Sequence, residues 1–162
     1  MKALTHVDER GQARMVDVSA KDVTVRTAAA SARIKVGKQL RALIASDRVP
    51  KGDVLAVARI AGIMAAKKTS DLLPLCHPLA LDAVEVVVTL EPKAIVIHAT
   101  VKITGRTGVE MEALTAVSVA ALAVYDMCKA QGRGLVIEHV QLEAKQGGKS
   151  GTFERARRRR ER

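Results

Sequence analysis

Three side chains in one helix-patterned stretch of this 162-residue sequence could move protons or hold anions: Glu112 near its start, Asp126 and Lys129 near its end. At 100° per residue, Asp126 falls about 40° from Glu112 and Lys129 about 100° from it, so they share one side of the helix. At ~1.5 Å per residue, however, Glu112 and Asp126 stand roughly 21 Å apart along the axis. One compact site cannot take both from the same copy. If both act, either the ligand is long or a second subunit supplies one end, and we read a homo-oligomer with a shared site. By spacing alone, Asp126 and Lys129 also read as an i,i+3 surface pair.

Lys51 sits in a Pro-Lys-Gly-Asp turn just before a helix start, where an ammonium and free backbone amides can receive an anion. Read alone, it is also an ordinary exposed turn lysine. Cys76 and His77 stand between two prolines, Pro74 and Pro78, that push the residues before them out of helical geometry. The segment Leu75-Cys76-His77 is therefore expected to be extended, with His77 held to hydrogen-bond a polar ligand or facing solvent. Zinc would need three or four ligands at workable spacing, and the other histidines, at 6, 98 and 139, are scattered. No metal site is expected. The run GRTGVEME at 105–112 joins a Gly-rich turn, an Arg and two carboxylates at a helix start. Glu110 and Glu112 are two apart and point to different sides, so only one can serve the helix end. Neither this run nor Gly147-Gly148-Lys149-Ser150 has Walker A spacing. The latter reads as a loose phosphate contact or a hinge.

Positioning these groups falls to one domain's worth of chain. Apolar residues make up 48%, with one Tyr, one Phe and no Trp, so the core must be built from Ala, Val, Leu and Ile. The formal net charge is +10, and much of it lies in the Arg-rich end after Phe153. The body is basic as well, which favours an anionic partner: phosphate, nucleotide or nucleic acid. Two cysteines make no disulfide framework. No signal-like start or apolar run near ~20 residues is apparent. These features lead us to expect a cytoplasmic domain with reduced thiols.

The expected elements run helix, helix, strand, strand, helix, strand. A short strand is expected at 15–18 and an extended arm at 21–26. Ile34, Val36, Leu40, Leu43 and Ile44 suit a helix from about 31 to 46. Asp53 is a natural N-cap for a second helix with Lys67 and Lys68 in its last turn. Strands 83–90 and 95–103 flank a turn at 91–93. Thr107 and Glu110 match a capping box opening a long helix to about 131, stopped by Gly132. A strand at 135–142 and a basic glycine loop follow. The expected boundaries are a flexible segment 1–13, one α+β domain 14–151 and an Arg-rich disordered tail 152–162. The fold class is an α+β sandwich, with helices on one face of a mostly antiparallel sheet.

Four segments in order, KGDVLAVARIAG at 51–62, LPLCHP at 73–78, GRTGVEMEALTA at 105–116 and YDMCKA at 125–130, resemble the cyclic pyranopterin monophosphate synthase family of molybdenum cofactor biosynthesis. The resemblance covers roughly residues 14–151. It implies a ferredoxin-like fold and a hexamer built from dimers, with active sites at subunit contacts. The implied reaction rearranges (8S)-3',8-cyclo-7,8-dihydroguanosine 5'-triphosphate to cyclic pyranopterin monophosphate and releases diphosphate. By motif match, Asp126 is the acid/base residue, with Lys51 and Lys129 as essential lysines. Leu75, Cys76, His77, Met111, Glu112 and Glu110 become substrate contacts, and Arg26 and Lys67 phosphate contacts. No cofactor is implied beyond magnesium that could accompany the triphosphate. A lysine beside other cations is expected to have a lowered pKa.

The rival from another class is an RNA-binding module on the same fold. Such modules stack bases on sheet aromatics. The strands 83–90 and 95–103 contain none, and no nucleic acid partner is expected. A non-catalytic assembly subunit is the other rival.

Overall fold

The computed structural model describes residues 7, 10–132, 134–149 and 151–156. Its first element is a strand, β1 (Thr24–Lys35). This replaces both the arm expected at 21–26 and the first part of the helix expected from 31. Ala28, Ala30, Ala32 and Ile34 are buried along it, the two-residue alternation of a strand with one face on the core. Helix α1 is confined to Lys38–Ala45, and its apolar face buries Leu40 and Ile44. Residues 15–18 form no strand.

Helix α2 (Val54–Ala66) starts as expected: the Asp53 carboxylate accepts from the amides of Leu55 and Ala56. A single turn, α3 (Thr69–Leu72), leads into the proline segment. Strands β2 (Ala83–Leu90) and β3 (Ala94–Gly105) form the expected hairpin, with Glu91 N–H donating to Ala94 O at 2.8 Å. Helix α4 (Glu110–Cys128) follows and tightens into a 3-10 turn at Lys129–Gln131. The expected capping box does not form. Val109 is the N-cap, with no side-chain cap, and Thr107 Oγ1 is buried without a partner among the described residues.

Strand β4 (Val136–Gln146) and the two-residue β5 (Phe153–Glu154) complete a five-stranded sheet in the order β2-β3-β1-β4-β5, antiparallel between neighbours. β3 and β4 thus run parallel with β1 inserted between them, so β3–α4–β4 is a split crossover. This is an α+β sandwich consistent with a ferredoxin-like fold. The stretch expected as a tail from 152 begins with β5; residues 157–162 and most of the first nine lie outside the described residues.

α4 packs on β1, β3 and β4, and α2 packs on α4 and β2. With almost no aromatic volume, the layers close by using small residues. Gly62 of α2 faces α4 so tightly that a Cβ there would lie 3.0 Å from the Ala116 carbonyl and 3.3 Å from the Ala120 Cβ. Within the stretch Glu110–Gln131 an 18-residue window has a mean hydropathy of 1.4, enough by length and composition to cross a bilayer, as the central helix of a folded core also is. Its Ala113, Ala116, Val117, Ala120, Ala121 and Val124 are all buried, as befits the central helix of this core.

Candidate active site

The start of α4, the 105–109 loop, the start of β1, the turn after α3 and the loop leaving β4 surround a cavity of about 730 Å³. Three backbone anchors build its wall. Arg26 Nε donates to Gly105 O at 3.0 Å, and Arg106 Nε to Lys21 O at 3.1 Å. The His77 Nε2–H donates to Val16 O at 2.9 Å, because a carbonyl only accepts. That bond places a proton on Nε2 and pins the N-terminal segment over the pocket. Where 75–77 is expected to be extended, Leu75 and Cys76 instead lie in a turn over 73–76, closed by Cys76 N–H donating to Leu73 O at 3.0 Å, and His77 follows it.

The cavity brings together Arg26, Leu75, Cys76, His77, Glu110, Met111 and Glu112, seven of the eight binding residues expected from sequence. Gly108 makes the fold-back of Glu110 feasible, since a Cβ there would overlap the Glu110 carboxylate. Glu110 also pairs with Lys145 at 3.3 Å. Glu112 is the buried member, at 4% exposure. Burial pushes its carboxyl pKa above the ordinary value, opposed by a hydrogen bond from its own backbone and aided by Glu110. Burial likewise raises the Cys76 thiol, with Glu112 adding to it. A carboxyl in this state can hold a proton closer to neutrality than an exposed one.

Lys21, Arg106, Lys145 and Lys149 also line the cavity; of these, Arg106 belongs to the Gly-rich run before α4 that the sequence singles out, while no sequence motif points to Lys21. For the glycine loop carrying Lys145 and Lys149 the sequence suggests only a loose phosphate contact. Its proximity to Arg26 depends on β4 pairing with β1, a long-range register that local sequence does not carry.

The second cluster lies at the far end of α4. Gly52, at φ +92, closes the turn that presents Lys51, and Lys51 Nζ reaches Asp126 Oδ2 at 2.7 Å. Lys129 Nζ meets Asp126 Oδ1, also at 2.7 Å. The two ammonium groups, Lys129 foremost, bring Asp126 down to about 2. Asp126 in turn raises Lys129, which corrects the expectation of a lysine lowered by neighbouring cations. The three side chains are 45%, 57% and 58% exposed for Lys51, Asp126 and Lys129, so the cluster is open on its outer side.

None of the three lines the large cavity, and the 14-residue step from Glu112 to Asp126 again gives roughly 21 Å along α4. Lys67, at the end of α2, joins neither group; it lines a smaller cavity of about 430 Å³ beside Asp82 and Val84. Among the described residues, no group of three His, Cys, Asp or Glu side chains is set to hold a metal ion.

A family model described as MoaC family matches residues 15–148. A relative from Streptomyces griseus subsp. griseus, named cyclic pyranopterin monophosphate synthase, is 62% identical over 152 residues, covering 94% of this chain and 86% of that protein. Relatives of the same name are 60% identical in Streptomyces avermitilis, over 94% of this chain and 90% of that protein, and 57% identical in Pelotomaculum thermopropionicum, over 96% and 92%.

Proposed function

The chain belongs to the MoaC family, and on that premise we propose that it is a cyclic pyranopterin monophosphate synthase of molybdenum cofactor biosynthesis. Its substrate is (8S)-3',8-cyclo-7,8-dihydroguanosine 5'-triphosphate, and diphosphate leaves as the pterin ring and cyclic phosphate form. The observation that carries this reading is the cavity itself, where five cations, Lys21, Arg26, Arg106, Lys145 and Lys149, surround a buried carboxyl with a raised pKa.

Such a lining suits a triphosphate at one end and a polar heterocycle at the other. Cyclising the phosphate builds negative charge on the departing diphosphate, and fixed guanidinium and ammonium groups offset that charge as it develops. Glu112, Cys76 and His77 border the space for the purine-derived ring. Rearranging its carbon–nitrogen bonds needs proton transfer, for which Glu112 and the His77 ring border the space.

In this reading the Lys51–Asp126–Lys129 cluster of a neighbouring copy completes the site. Asp126, held ionised by two ammonium groups, acts as the orienter of the lysines rather than as a base. Lys51 and Lys129 then donate hydrogen bonds or protons to substrate. This is why the assembly is a homo-oligomer, a hexamer made of three dimers that share sites in the family's manner. The enzyme is cytoplasmic and needs no cofactor of its own, with magnesium arriving only on the triphosphate. Lys67, if it meets phosphate, does so from a neighbour as well.

The test is direct. Purified chain incubated with the cyclised precursor is expected to yield cyclic pyranopterin monophosphate and diphosphate in equal amounts. Consumption without diphosphate, or no consumption, contradicts the reading. Binding of single-stranded RNA at physiological salt with no such conversion would favour the rival.

A further inference from the structure

The loop leaving β4 presses so closely on Arg26 that a Cβ at Gly148 would have to displace the guanidinium. Gly148 has φ +72, and a Cβ built on it would overlap Arg26 Nη1 and stand 2.9 Å from Cζ. Its neighbour Gly147 has φ +92, and a Cβ there would overlap Val25 O. On its other side Arg26 is anchored by the 3.0 Å bond from Nε to Gly105 O. A long, rotamer-rich side chain is thus held between a carbonyl and a bare peptide, with its guanidinium in the wall of the cavity.

We propose that Gly148 is a positioning residue: its missing side chain lets the loop clamp the Arg26 guanidinium in the orientation that receives the substrate's phosphates. This rests on the proposed function, which supplies the triphosphate. An arginine fixed before binding loses less freedom on binding, and its planar fork meets phosphate oxygens in pairs. The clamp also joins three parts of the wall, the β1 start, the 105–108 loop and the glycine loop, through one side chain. Gly148 touches no reacting atom and acts only through Arg26.

The experiment uses the full chain in four forms: wild type, Gly148→Ala, Arg26→Ala and the double variant. Affinity for inorganic diphosphate is measured by calorimetry, and kcat and KM with the cyclised precursor. Gly148→Ala is expected to weaken diphosphate binding and raise KM roughly tenfold, with kcat changed far less, as for loss of one charge-assisted contact made in ground and transition states alike. In the Arg26→Ala background the same change should cost nothing further, because the atoms it would strike are gone. Gly151→Ala serves as the control for backbone strain, since Gly151 also has positive φ, +67, but meets nothing within 4 Å. It should leave both constants near wild type.

If Gly148→Ala binds and turns over like wild type while Arg26→Ala is impaired, the clamp is wrong and the proposed function stands. Additive losses in the double variant, or an equal loss in Gly151→Ala, also overturn the clamp, since both mean a general loop defect. If Arg26→Ala is unimpaired, Arg26 is no phosphate contact, and its part in the proposed function falls together with the clamp.

Discussion

Lys51 Nζ lies 2.7 Å from Oδ2 of Asp126 and 3.0 Å from its main-chain carbonyl, so the turn before α2 is tied to the last turn of α4. Lys129 holds the other carboxylate oxygen. A single carboxylate therefore sets the position of two ammonium groups, both of which remain open to whatever docks on that end of the helix.

Because the three groups are well exposed, their mutual attraction adds little to folding. Lys51→Ala and Lys129→Ala are expected to melt close to wild type in circular dichroism. Turnover of the cyclised precursor should fall by about 10²-fold or more, the usual scale for a positioned proton-transfer group. Retained turnover in either variant would remove that lysine from the mechanism.

Asp126 is predicted to stay ionised far into acid. Its pKa is lowered to about 2 against an ordinary 3.8, so the native state gains from this carboxylate above the ordinary value and loses that gain as pH falls through about 2. Carboxyl-resolved NMR should show no Asp126 titration near 3.8 in the wild type. Lys129→Ala removes the largest cause and should move the midpoint back towards 3.8. An Asp126 that titrates normally in the wild type would contradict the geometry.

Glu112 carries the opposite sign. Its pKa is raised above 4.5 by burial, so its ionised form burdens the native state at neutral pH, and the burden is relieved as pH falls and the group takes up its proton. Glu112→Gln should therefore melt above wild type at pH 7, with the gap closing below about pH 4.5, while turnover collapses. A variant less stable than wild type at pH 7 would show that the carboxylate is satisfied rather than strained.

The α2–α4 contact should tolerate no bulk at Gly62. A Cβ added there would meet Ala116 O at 3.0 Å and both Ala120 Cβ and Val86 Cγ1 at 3.3 Å, so Gly62→Val should cost about 1–3 kcal/mol in urea denaturation. A neutral result would mean that the two helices can separate without loss.

The hairpin β2–β3, the Asp53 cap and the reach of α4 are legible in the sequence because each is signalled locally, by a turn, a capping carboxylate or a sustained apolar seam. β1 is not. Its core face is mainly alanine, Ala28, Ala30 and Ala32, which gives weak contrast with the outer face, while Ile34 near its end, Val36 after it and Leu40 in α1 fit helical spacing across the extended link at Gly37. The Thr107–Glu110 box fails because Glu110 folds back over Gly108 towards Lys145, a partner supplied by β4. In the site, the motif residues at 75–77 and 110–112 converge as expected. Lys21 and Lys145 escape the sequence because only long-range contacts, the Arg106 bond to Lys21 O and the β1–β4 pairing, bring their segments to the cavity. The separation of Glu112 from Asp126 follows from helix geometry alone, and the fold leaves it unchanged.

That separation makes one experiment the most direct test of a site shared between copies. Lys51→Ala and Glu112→Gln, each expected to be inactive alone, are co-expressed and purified as mixed assemblies. If each site takes Glu112 from one copy and Lys51 from its neighbour, random pairing restores about a quarter of wild-type turnover, carried by sites that escaped both changes. Mixed assemblies as inactive as either parent would contradict a site built across two chains.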